Sequence, residues 1–293
     1  MSAVGSTVAG KQNGGKRFRE GGFRVLLLAC LALSGIMLTV LLVDVALDGT
    51  SSISPDFLTK YASSFPANAG IRSAVLGTIL LMLVVVVFIV PIGVATAVYL
   101  EEYADRTRWY NRMIEVNIQN LAAVPSIVYG ILGLAFLVRG PLDLGNVTLA
   151  GGLTLGLLVL PVVIIAGREA IRAVPPSIRE GSQALGATQW QTIWRQVLPA
   201  AVPGIATGVI LALSRAIGET APLIVVGAAT FVAFDPGLSS QFTALPIQIF
   251  DWVTRPQEEF KKLAAGAILV LMVMLLAMNA VAIYLRNRYE QKW

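Results

Sequence analysis

The sequence predicts an all-α fold, a polytopic transmembrane helical bundle of six spans. Three observations predict it. Of 293 residues, 56% are hydrophobic and only 13% are charged, against roughly 25% charged in an ordinary soluble domain. Charge-free apolar runs recur from about residue 25 to residue 285, each near the ~20 residues that cross a bilayer. Lysine and arginine gather between alternate runs, as insertion requires of loops kept in the cytoplasm.

The first 24 residues are polar, glycine-rich and basic, with Lys11, Lys16, Arg17, Arg19 and Arg24, and are expected to be a disordered cytoplasmic tail. Span one follows at 25–43. It exceeds a secretory signal core and no small-x-small site follows it, so it reads as an uncleaved signal anchor. Its Cys30 is the sole cysteine, which excludes an intrachain disulfide and reads as a small membrane-facing residue. An acidic external loop with Asp44, Asp48, Asp56 and Lys60 completes a first segment, 25–70. Span two is 73–100, interrupted by Pro91 and Gly93, where a kink is expected. The charged turn 101–112 leads to span three, 116–138, which Pro125 and Ser126 interrupt, with Tyr129 and Gly130 one turn on. Span four is 149–166, span five 202–226 and span six 263–285, separated by longer loops at 167–201 and 227–262. In the last of these, Asp235, Asp251, Glu258, Glu259 and Trp252 read as a solvated external loop. A short tail, 286–293, closes the chain.

Fifteen basic residues fall on the side that holds both ends and the 167–201 loop, six on the other, and Arg215 lies inside span five. Both termini are therefore expected in the cytoplasm. A net charge of +5 would suit nucleic acid, but the basic residues form no stripe, and lipid is the expected partner. The absence of histidine excludes imidazole metal sites, histidine proton relays and a serine–histidine nucleophile. GSTVAGK, from Gly5 to Lys11, matches part of a phosphate loop, yet Gln12 replaces the magnesium-binding hydroxyl and no strand precedes it. The chain is expected to be no enzyme, to bind no cofactor and to hold no ATPase site.

Residues 174–203 read VPPSIREGSQALGATQWQTIWRQVLPAAVP, which predicts two short helices. Pro175 and Pro176 stop the preceding chain, and Ser177 with Glu180 has capping-box spacing. Gly186 suits a left-handed end, Thr188 a second cap, and Pro199 the end of the second helix. These signals fit an amphipathic linker on the membrane surface as well as a docking hairpin.

Glu180, Ser182 with Gly186 four residues on, and Leu198-Pro199 behind the second helix resemble the cytoplasmic loop of ABC importer permeases. Gly181 and Ser182 stand where two alanines are usual in that family, and Gln196 where isoleucine is usual. The likeness covers about 71–285: LAAVPSIVYGILGLAFLV, LPVVIIAGREAIRAVPPSIREGSQALGATQWQTI and LSRAIGETAPLIVVG are similar to the phosphate branch, and within it to the PstA type. The resemblance implies a type I (MetI-like) ABC importer permease in which Ser177, Arg179, Glu180, Gly181, Ser182, Ala184, Leu185 and Gly186 couple to an ATPase. It also implies a second permease of PstC type, two copies of a cytoplasmic PstB-type ATPase that holds ATP and magnesium, and an external phosphate-binding protein of PstS type.

Arg215 and Glu219, four residues apart in span five, are expected on one helix face. Ionised groups in a membrane are costly and mark either a pathway or a self-neutralising buried pair. Arginine's rigid fork suits phosphate, and a competing carboxylate keeps the site from trapping the anion. Thr220 offers a hydroxyl, and Pro222 a distortion that frees backbone groups; both are also packing residues. Three rivals remain open: the same machine with sulfate, molybdate or amino acids as cargo; a secondary transporter, for which no inverted repeat is visible; and a membrane enzyme, for which nucleophile and metal are lacking.

Overall fold

The computed structural model describes residues 14–105 and 107–289, with side chains from residue 21 to residue 288 apart from 106. Most of the 1–24 tail and the end of the 286–293 tail lie outside these residues. So do the side chains of Lys11, Lys16, Arg17, Arg19, Arg106 and Lys292. The chain divides into two compact units, one ending at Leu47 and the other beginning at Asp48. Among the described residues the first is a single helix, the greater part of α1 (Gly14–Thr50), whose leucines and valines recur on all sides. That all-round apolar character is what a bilayer-crossing rod needs.

Among the described residues the second unit is all-helical. After α2 (Pro55–Thr59) comes α3 (Arg72–Val98), continued by a π-helical turn at Tyr99–Tyr103. The helix passes through Pro91 without a break. Next are α4 (Trp109–Ala122) and α5 (Ser126–Gly133), the latter extended by a second π turn, Leu134–Val138. They bend by 105° at the break, so the interruption expected at Pro125 and Ser126 is a sharp angle in span three. Pro125 explains it: a proline there lacks a donor and biases the residue before it away from helix.

Helix α6 (Thr148–Arg172) runs six residues past the expected end of span four. It is the central helix, with Leu155, Val159 and Val163 buried against α3. Among the described residues five helices are long and apolar enough to cross a membrane, six if the bent pair counts as one. Helices α7 (Pro176–Ala184) and α8 (Gln189–Thr192) precede a third π turn, Ile193–Val197, which runs directly into α9 (Leu198–Ala216). Then come α10 (Ala221–Val226), α11 (Leu245–Thr254) and α12 (Glu258–Tyr289).

The expected solvated loop at 227–262 is folded in only in part: Asp235, Glu258 and Glu259 are exposed, while Trp252 and residues 242–248 are buried. The Arg72 guanidinium pairs with Asp235 at 2.5 and 2.8 Å, and Ser73 Oγ donates to Val232 O at 2.7 Å. The first N–H groups of α6, at Thr148 and Leu149, donate to Ser240 O and Leu238 O, so a helix end's spare donors are met by the loop. Trp252 is fully buried, with the rings of Phe57 and Phe260 centred 6.1 and 6.2 Å away. Its indole needed a long-range apolar wall, which no local pattern announces.

Candidate coupling element and anion site

Of the two short helices expected at 174–203, the first is present, while the second begins where expected and runs on into the next span; the signals at their ends differ. Pro175 occupies the N-cap position of α7 and Pro176 its first turn, and no side chain caps it. Ser177 is therefore inside the helix, and its capping box with Glu180 does not form. Proline at the first helical position, with its fixed φ, outcompetes the serine one residue on. Gly186 takes φ +85° at the far end, a conformation that carries no Cβ penalty only in glycine. The capping box lies one helix later. Thr188 Oγ1 accepts from Gln191 N–H at 3.3 Å, and Thr188 N–H donates to Gln191 Oε1 at 2.9 Å.

Pro199 does not end the second helix. Leu198 N–H donates to Ile193 O across the wide π turn, and the proline sits just inside α9. The wider turn accommodates a residue that has no donor. A single rod thus extends from Gln189 to Ala216.

The eight residues expected to couple divide by the direction they face. Ser177, Glu180, Gly181, Ala184, Leu185 and Gly186 are exposed, with Leu185 at 91%. Between α7 and the following segment lies a groove of about 460 Å³, lined by Gly181, Leu185, Gln191 and Arg195 among others. Arg179 and Ser182 point the other way. Ser182 Oγ lies 3.0 Å from Thr192 Oγ1, which holds α7 to α8. Arg179 Nη2 and Nε donate to Glu102 Oε1 at 2.7 and 3.1 Å, while Nη1 and Nη2 donate to Val174 O at 2.7 Å and Ile171 O at 2.9 Å. One guanidinium thereby joins α7, the end of α6 and the π turn at the end of α3.

The neighbouring Glu101 is 4% exposed and faces Arg172 at 3.0 Å and Arg168 at 3.7 Å, and Arg168 also meets Glu115 of α4 at 2.9 Å. These carboxylates were not expected as functional residues. Their partners lie 53 to 77 residues away, beyond any helical spacing, and the one hint in the sequence is Glu101-Glu102 at the end of an apolar run.

Span five, expected as one helix over 202–226, is broken. Helix α9 ends at Ala216 and α10 begins at Ala221. Glu219 sits in the break rather than on a helix face shared with Arg215. The two still meet, Arg215 Nε donating to Glu219 Oε1 at 3.2 Å, with side chains 42% and 19% exposed. Thr220 stands at the N-cap position of α10 without capping it, and Pro222 is in the first turn, so the proline starts a new helix. Beside it runs α5. A Cβ on Gly130 would lie 2.8 Å from Pro222 Cα, so only glycine permits this approach. Tyr129 OH donates to Leu121 O at 2.9 Å across the bend of α4 and α5. On α9, Ser214 Oγ lies 2.8 Å from Asn279 Oδ1 of α12. An exposed guanidinium, an intermediate carboxylate and the ends of two interrupted helices therefore share one region. Chemically this suits reversible binding of an anion.

Residues 89–293 match the family described as binding-protein-dependent transport system inner membrane component. The chain is 37% identical over 218 residues to phosphate transport system permease protein PstA 1 of Mycobacterium tuberculosis (strain H37Rv), covering 74% of this chain and 70% of that protein. It is 33% identical over 217 residues to phosphate transport system permease protein PstA of Yersinia pestis, covering 74% and 72%. Among solved structures, a bacterial alginate ABC transporter in complex with a pentasaccharide-bound periplasmic protein superposes with a TM-score of 0.70 at 18% identity, covering 94% of this chain and 96% of the other. A chain of the MetNI methionine ABC transporter superposes at 0.60 and 16%, covering 76% and 95%. At such identities these two structures establish the fold alone.

Proposed function

The chain belongs to the binding-protein-dependent transport system inner membrane component family, and from that premise we propose that it is the permease subunit of an ATP-driven importer of inorganic phosphate. It is a multi-pass inner-membrane transport subunit, not a catalytic enzyme. The phosphate cargo rests on one observation: about three-quarters of the chain, including α7 and the Arg215 region, aligns at 37% identity with a phosphate permease. Both termini and α7–α8 face the cytoplasm, in keeping with the excess of lysine and arginine on that side. ATP and magnesium are held by two copies of a PstB-type ATPase, a PstC-type permease completes the pathway, and a PstS-type protein delivers phosphate outside.

The mechanism arises from the two halves of the site. The ATPase docks on the exposed residues of α7, Glu180 and Leu185 foremost. Arg179 makes α7 rigid with α6 and the π turn at the end of α3, so displacement of α7 moves both. The rod from Gln189 to Ala216 carries the same displacement to Arg215. Phosphate, in the path, competes with Glu219 for the Arg215 guanidinium, and the carboxylate recaptures it when the anion leaves. Radiolabelled phosphate uptake in cells whose only phosphate permease contains this chain tests the reading. Uptake is expected to resist excess sulfate and to vanish on deletion of the ATPase with membrane potential intact. Uptake blocked by sulfate changes the cargo, and uptake surviving the deletion ends the ATP-driven reading.

A further inference from the structure

A groove of about 360 Å³ opens between α3, α9 and α12, away from α7 and from Arg215. Val94 of α3, Ile205, Ala206 and Val209 of α9, and Ala282 of α12 form its walls, and Arg286 is the sole charged residue on its lining. All three helices are long and apolar enough to be spans. The apolar run of α12 stops at Leu285, and Arg286 and Arg288 come directly after it, with Tyr284 64% exposed just before. Tyrosine followed by arginine after an apolar run marks the headgroup level. The groove therefore starts at the headgroups and continues into hydrocarbon.

Water gains nothing in such a space, which offers it almost no polar partner, while an empty groove forfeits dispersion contacts along its length. An acyl chain satisfies both conditions. At the mouth, Arg286 Nη1 donates to Thr207 Oγ1 at 3.3 Å, and Nε and Nη2 donate to Asn287 Oδ1 at 3.2 and 3.1 Å. Among the described residues no carboxylate pairs with it. A guanidinium steadied by two neutral groups keeps its charge available to an anion at headgroup depth.

We infer that this groove is a binding site for one anionic phospholipid, an acyl chain lying between α3, α9 and α12 and the phosphate at Arg286. It depends on the membrane placement of α12 and not on the cargo of the transporter.

The test is native mass spectrometry of the whole transporter released from bilayers of equal phosphatidylglycerol and phosphatidylcholine. The complex is expected to retain phosphatidylglycerol preferentially. An arginine near the surface contributes about 1 kcal/mol of attraction to anionic lipid, so Arg286→Gln should lower that preference about fivefold. Ala206→Phe, which fills the groove, should remove the retained lipid altogether. Should the larger side chain prevent assembly, Arg286→Gln still decides. Unchanged preference in Arg286→Gln overturns the proposal. So does a photocrosslinker at Ala282 that captures a protein helix in place of lipid, because the groove would then be a subunit contact.

Discussion

Two arginine–glutamate pairs, both assigned to the machinery, are built in opposite ways. Arg179 and Glu102 are 21% and 10% exposed, joined at 2.7 Å, and the arginine also holds two backbone carbonyls. Arg215 and Glu219 are 42% and 19% exposed and share one bond at 3.2 Å. The first pair ties α7 and the adjoining end of α6 to the π turn 77 residues earlier; the second connects neighbours across a helix break. A transmitting joint must not yield, whereas a binding group must be surrendered to its ligand. Burial and the number of partners separate these roles where residue type does not.

The largest expected effect comes from breaking the rigid pair. Arg179→Ala leaves Glu102 buried without its cation and two carbonyls without donors, which should destabilise the transporter by about 3 to 5 kcal/mol, read as a lowered Tm of the purified complex. Arg179→Met combined with Glu102→Leu should recover most of that loss, since an apolar pair of similar volume replaces a buried ion pair at little cost. Failure of the double variant to recover would show that the carbonyl contacts, not the charges, hold the joint. Arg215→Ala should do the reverse, abolishing phosphate uptake while changing stability by no more than about 1 kcal/mol, the range of exposed ion pairs. Assembled transporter with wild-type uptake would remove Arg215 from the pathway.

Smaller effects refine the contrast. Thr188→Ala removes half of the reciprocal cap and should cost about 1 kcal/mol, felt as weaker coupling of ATP hydrolysis to uptake in proteoliposomes. The smallest effect is at Arg72 and Asp235, a third pair that closes the 227–244 loop. The hydrogen bonds from Arg72 hold the Asp235 carboxyl below its ordinary range. Its contribution is therefore complete above the ordinary aspartate value near 3.9 and disappears as the pH falls through the depressed one. Limited proteolysis of the 227–244 loop should increase below that point in the natural protein, and Asp235→Asn should remove the pH dependence. The change will be slight, because the pair is solvent-screened.

Most of the helices were legible because bilayer crossing demands long apolar runs, and 73–100, 149–166 and 263–285 announce themselves by length. The bend at Pro125 was legible from one residue. The break after Ala216 was less so: Gly218 and Pro222 are in plain view, but the apolar residues around them read as one continuous span. The exposed face of α7 was readable by resemblance, yet the inward turn of Arg179 was not, since Glu102 lies 77 residues earlier. Ser177 shows how local rules collide, with a capping residue displaced by a proline beside it. Trp252 shows the limit for loops, whose burial depends on walls supplied by α2 and α12.

The π turn at Tyr99–Tyr103 amounts to a counting device. It uses about one residue more per turn than the α-helix it extends, and there Glu101 faces Arg172 while Glu102 reaches Arg179. Deleting Leu100 would restore an ordinary helix that looks locally sounder. It would also rotate the downstream residues by about 100°, breaking the register that brings Glu101 to Arg172 and Glu102 to Arg179. The joint is thus set by residue number as much as by residue type, and a helix can be improved there only by disconnecting it.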